Sequence, residues 1–238
     1  MNLCIFLSFS ANICMDNTNT SQNNNIKIQG EFVPEVVVTL DAFTDAIYFE
    51  HHILLWKDPS VNIAAKILKG LGRRFIAGLP IVMTEAHGSG KIAFSRDGVG
   101  QIISLQIKPG TEIDVREHQF LLATKNVDYS FTRVKGISNI LIGGTGFFMD
   151  RFTGSDTEGT LLLHGYGNVF ERNLEANESI DIEPGAFLYK DSTVNMTSTF
   201  TALSTGFFAS TNLVLNRFTG PGRIGYQTMS VYVSTDSK

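Results

Sequence analysis

Cysteine is nearly missing from this chain: only Cys4 and Cys14 occur. Their spacing is neither a C-x-x-C metal or redox motif nor a disulfide framework. Tryptophan occurs once and proline six times, against 22 glycines and 18 phenylalanines. Core volume therefore comes largely from phenylalanine, and turns come from glycine more than proline. A basic excess is also missing, with 19 Lys and Arg against 23 Asp and Glu and a formal net charge of −4. Phosphate contacts and counterion release drive nucleic-acid affinity, so this balance disfavours a nucleic-acid partner. No apolar run reaches the ~18 residues that a membrane-spanning helix needs. The stretch Leu3–Cys14 resembles a signal h-region but has no basic segment before it and no small-residue cleavage site after it. The first arginine is Arg73, so an arginine-rich transit peptide is missing too. Met15 is then the expected start, with 1–14 an upstream extension.

What is present suits a buried globular chain: 43% of residues are hydrophobic and 18% charged. Residues 1–30 include the run Asn17-Thr18-Asn19-Thr20-Ser21-Gln22-Asn23-Asn24-Asn25, which has nothing to bury. They are expected to form a disordered tail. Residues 31–238 are expected to form one β domain.

One phrase organises that domain. Phe147-Phe148-Met149-Asp150-Arg151-Phe152-Thr153-Gly154 returns 66 residues later as Leu213-Val214-Leu215-Asn216-Arg217-Phe218-Thr219-Gly220. A degraded copy, Ile81 to Gly88, precedes the first by the same interval and lacks the arginine. Leu40, Ile107 and Leu174 keep a spacing of 67, as do Ile53, Phe120 and Phe187. Asp45-Ala46-Ile47-Tyr48, Glu112-Ile113-Asp114-Val115 and Ser179-Ile180-Asp181-Ile182 form another matched set. A fixed period signals repeat architecture. Three copies, about 35–101, 102–168 and 169–235, fill the domain. Each reads as short strands joined by turns, so the expected fold is all-β. Gly185 and the matching His51 and His118 are expected to carry positive φ.

Four stretches resemble the AIM24 family in their order and spacing. They are Leu54-Leu55-Trp56-Lys57-Asp58-Pro59, Gly143-Gly144-Thr145-Gly146-Phe147-Phe148, Glu183-Pro184-Gly185-Ala186-Phe187-Leu188 and Arg217-Phe218-Thr219-Gly220-Pro221-Gly222. The resemblance covers about 35–230. It implies a fold like the tryptophan-RNA-binding attenuator: a double-stranded β-helix repeated three times with pseudo-threefold symmetry. It also implies homo-oligomers, trimers in several bacterial relatives, and no enzymatic activity. The fungal mitochondrial member is implicated in inner-membrane organisation, so a membrane or membrane-complex role follows by resemblance. A cytoplasmic location is expected, with a mitochondrial one resting on the resemblance alone. The first copy departs from the pattern: Ala77-Gly78-Leu79-Pro80 replaces the glycine lead-in and Glu85-Ala86-His87 replaces Arg-Phe-Thr.

Catalytic readings fail on geometry. Adjacent His51 and His52 point to opposite faces of a strand, and the copies equate His51 and His118 with Gly185. No zinc spacing links these to His87 or His164, so neither metal nor cofactor is expected. Glu112 and Asp114 share one strand face, and with Asp45 and Asp181 they are expected to be solvated. Gly88-Ser89-Gly90-Lys91 lacks the first glycine and the Ser or Thr of a phosphate loop. Arg151 and Arg217 are expected to be ion-paired supports of the repeat.

The remaining feature is a variable loop in each copy. Leu68, Leu71, Arg73, Arg74 and Phe75 mark the first, Ile140 and Leu141 the second, Phe207 and Phe208 the third. Clustered at one end, they would form an apolar surface with a basic corner, suited to self-association, a protein partner or a membrane. Two other classes stay in view: a small-ligand or RNA-binding module by fold analogy, and a cupin-like metal enzyme.

Overall fold

The computed structural model describes residues 25–41, 46–66, 83–134, 147–204 and 210–230. Among them the protein is all-β, with no α-helix and a single 3-10 turn at His51–Ile53. A first group of strands is β1 (Ile26–Gln29), β2 (Glu35–Leu40), β3 (Ile47–Glu50), β4 (Leu54–Lys57), β5 (Val61–Ala65), β6 (Met83–Gly88) and β7 (Gly90–Phe94). Next come β8 (Gly100–Ile107), β9 (Glu112–Arg116), β10 (Phe120–Thr124), β11 (Val127–Val134), β12 (Phe147–Gly154) and β13 (Gly159–Tyr166). The last are β14 (Val169–Leu174), β15 (Ser179–Ile182), β16 (Phe187–Asp191), β17 (Asn195–Ser204), β18 (Ser210–Thr219) and β19 (Gly222–Gln227).

The strands form four antiparallel sheets. Two are six-stranded, in the orders β5-β6-β3-β10-β13-β8 and β11-β12-β9-β16-β19-β14. A four-stranded sheet runs β1-β2-β7-β4 and a three-stranded one runs β15-β18-β17. Strands at the centre of a six-stranded sheet are covered on both faces, so they read as continuous apolar runs. Phe120, Leu121, Leu122 and Ala123 of β10 are all fully buried. By contrast β2 alternates, with Val36, Val38 and Leu40 inward. Phenylalanine fills the core as its abundance suggests: Phe120 packs tilted against Phe152 at 4.8 Å and Phe187 stacks on Phe218 at 4.9 Å.

Three sequence expectations need correction. The tail does not extend to residue 30, because Ile26–Gln29 form β1 and pair with β2 from Ile26↔Val38 to Gln29↔Glu35. Two isoleucines at alternate positions give that short segment an apolar edge to lay on valines. Positive φ occurs at His118 (65°) but not at Gly185, and His51 lies in the 3-10 turn. Matching positions also slip by one residue in the first copy. The backbone bond that Gln119 O and Ala186 O accept is accepted there by Ile53 O, so Leu54 rather than Ile53 corresponds to Phe120. Tyr48 faces Glu85 as Asp114 faces Arg151, so Tyr48 rather than Ile47 stands in the aspartate's place.

Candidate functional site

The repeated arginine belongs to a ladder of ion pairs. Asp114 on β9 lies opposite Arg151 on β12 and Lys190 on β16. Arg151 donates from Nε to Oδ1 at 2.6 Å and from Nη2 to Oδ2 at 3.1 Å. Lys190 Nζ donates to Oδ2 at 2.8 Å. The carboxylate is only 1% exposed, so the expectation of a solvated face fails for Asp114. Flanking strands cover it, and two cations replace the water it loses. Burial would push its carboxyl up, but the hydrogen bond from Arg151 and the charge of Lys190 hold it below the usual value.

On the three-stranded sheet Arg217 holds Asp181 in the same bidentate fork, at 2.7 Å for both bonds. Here both groups are exposed and no lysine joins them among the described residues. In the first copy Tyr48 replaces the aspartate and Glu85 the arginine. Tyr48 OH donates to Val127 O at 2.7 Å, and Lys66 lies over its ring. The arginine is thus lost together with its acid, as an ion-paired support requires.

The glycine closing the phrase has a separate reason. A Cβ on Gly154 would lie 2.2 Å from Lys108 O, and one on Gly220 would lie 2.4 Å from Glu175 O. Two backbones meet there too closely for a side chain.

Two edge strands lack the partner that their counterparts in the other copies have. Among the described residues β4 pairs only with β7, and β15 pairs only with β18. Their counterparts are covered: β3 lies against β10, and β9 lies against β16. Exposure follows. Leu122 and Tyr189 are buried, whereas Trp56, which occupies the same register on β4, is 42% exposed and Leu55 is 54% exposed. An open edge with apolar side chains is a template for another strand.

The buried histidine sits elsewhere. His164 is fully buried beside Arg96, whose Nη2 donates to Glu50 Oε2 at 3.0 Å and Phe120 O at 2.6 Å. Burial, then the Arg96 charge, lowers the His164 imidazole to about 4. His52 Nε2 lies 3.3 Å from Glu50 Oε2. Among the described residues no three His, Cys, Asp or Glu side chains come together as a metal site. A cleft of about 510 Å³ holds Lys108, Glu112, Asp191 and Arg223. Arg223 is already committed to Asp191 through bonds at 3.0 and 3.2 Å.

The nine loop residues expected to build the interaction surface (Leu68, Leu71, Arg73, Arg74, Phe75, Ile140, Leu141, Phe207 and Phe208) lie outside the described residues. Sequence reasoning missed Leu55, Trp56 and Lys57 as surface candidates. The pattern of β4 matches the buried strands β10 and β16, and only the pairing shows that no described strand covers its outer edge.

A family model described as mitochondrial biogenesis AIM24 matches residues 26–229. Among curated proteins no match is found. Among solved structures, the X-ray crystal structure of protein SPYM3_0169 from Streptococcus pyogenes is similar, at 23% sequence identity and a TM-score of 0.64. The similarity covers 86% of this chain and 93% of that one, and it extends to the fold alone.

Proposed function

The chain belongs to the AIM24 family, and we propose that it is a non-enzymatic structural protein that assembles with copies of itself, as a trimer. The reading takes the domain as three repeats of a double-stranded β-helix, each built of six strands. Sets β2–β7, β8–β13 and β14–β19 supply them. In each set the first, sixth and third strands pair side by side, as do the second, fifth and fourth. The second strand of one set then pairs with the third strand of the next, as β3–β10 and β9–β16.

The observation that carries the proposal is the pair of strands left over. The third strand of the first set, β4, and the second strand of the last, β15, are the two that would make such a junction between chains. A head-to-tail contact of this kind closes into a ring when the rotation allows, and a ring leaves neither of these two edges unpaired. Trp56 is the sole tryptophan of the chain and lies on β4, so it reports the contact directly. Its emission is expected to shift to longer wavelength on dilution as the assembly dissociates. Emission independent of concentration, at the wavelength of exposed tryptophan throughout, would count against the proposal.

A membrane role is the second part of the reading, and it rests on the apolar loops. No helix among the described residues is long and apolar enough to cross a membrane, so attachment would be peripheral, through Phe207, Phe208 and the basic Arg73 and Arg74. Co-sedimentation with acidic vesicles is expected to weaken in Phe207→Ser and Arg74→Glu. Fractionation of cells expressing the tagged chain distinguishes the cytoplasm from the mitochondrion suggested by the family description.

A further inference from the structure

We propose that the contact between copies is β15 against β4 in one register, set by Lys57 of one copy pairing with Asp181 of the next. The inference rests on the assembly reading and adds the residues that align it. Its template is the internal junction between β9 and β16, where the register is Tyr189↔Val115, Lys190↔Asp114 and Asp191↔Ile113.

Both open strands carry the halves of that junction. Beside β7, β4 repeats the course of β16 beside β19. Trp56↔Ala93 and Lys57↔Ile92 match Tyr189↔Gly225 and Lys190↔Ile224, each after a bulge. Lys57 Nζ lies 3.4 Å from Asp58 O, and Lys190 Nζ lies 3.4 Å from Asp191 O. The two ammonium groups are therefore held alike by their own strands. On the other side, Asp181↔Arg217 repeats Asp114↔Arg151, down to the two-bonded fork. What separates the two aspartates is the lysine, and what separates the two lysines is the carboxylate. Among the described residues Lys57 makes no ion pair, whereas Lys190 has Asp114 at 2.8 Å.

Continuing the register across chains sets Trp56 opposite Ile182 and Lys57 opposite Asp181 of the next copy. Trp56 then covers an isoleucine as Tyr189 covers Val115 within the core. Lys57 completes around Asp181 the three-charge cluster already built around Asp114. The remaining internal junction sets Tyr48 opposite Ala123, with no charge at this place. The ion pair thus belongs to one internal junction and the junction between chains. Edges of opposite sign also favour head-to-tail contacts over like edges meeting.

A double-mutant cycle on the full chain tests this, with self-association measured by sedimentation for wild type, Lys57→Met, Asp181→Asn and the double variant. Urea midpoints establish that each variant folds, since both side chains lie at open edges. The expected result is that each single change weakens association by roughly tenfold or more, and that the second change adds nothing to the first. If wild type associates and the two losses multiply independently, or neither change weakens association, the register is wrong while self-association stands. If wild type stays a single chain at micromolar concentration, the assembly reading fails and this inference with it.

Discussion

Asp114 shows what a single side chain holds together here. Its two cations come from separate strands, so Asp114→Ala strands a buried lysine and half-buried arginine. Removing one partner of a buried pair costs about 3–5 kcal/mol, so a matching loss in urea denaturation is expected. Asp181 makes the same fork in water, and Asp181→Ala is expected to lower monomer stability far less. His164 gives a pH dependence of definite sign. Its folded pKa of about 4 lies below the ordinary 6.5, so its contribution is complete above 6.5 and declines as pH falls toward 4. The decline reaches about 3 kcal/mol near pH 4. Asp114 adds a further loss only as pH falls below the ordinary 3.8 toward its own depressed folded value. Urea midpoints across this range should fall for wild type and flatten in His164→Gln. Glutamine is a natural substitute, because Gln227 bonds at the corresponding place to Tyr166 N and Gly185 O. The ion-paired role of Arg151 and Arg217 was legible in the sequence. Tyr48 standing in the aspartate's place was not, because the one-residue slip precedes it and spacing alone cannot locate a slip.

At the scale of elements, equal sequence patterns have unequal environments. Leu122 on β10 and Trp56 on β4 hold the same register, yet only Leu122 is covered. Leu122→Ala is expected to cost about 2–5 kcal/mol, as buried leucines do. Trp56→Ala should change monomer stability by only about 0.5 kcal/mol, as exposed sites do, while weakening association. Chemical denaturation below the association range separates the two effects. Gly154→Ala drives a methyl into Lys108 O and should cost about 1–3 kcal/mol by the same measurement. Strands and their turns were legible because alternation, glycine and the recurring phrase mark them. Edges were not: whether an apolar strand is central or terminal depends on partners far away in the chain, and β4 and β16 look alike to any local reading.

For the whole molecule, the all-β fold and the family were legible from the 67-residue spacing and from motif order. The expected loop surface lies outside the described residues, and the described strands add a candidate at the two ends of the β array. Three sets of strands make two internal junctions, and in the proposed assembly a third is made with another chain. That contact is the central claim, and sedimentation velocity of the full chain at micromolar concentration tests it most directly. The account predicts a species of three chain masses for wild type and a single chain mass for a folded Trp56→Glu variant. Wild type sedimenting as one chain, or a trimer that Trp56→Glu leaves intact, would contradict it.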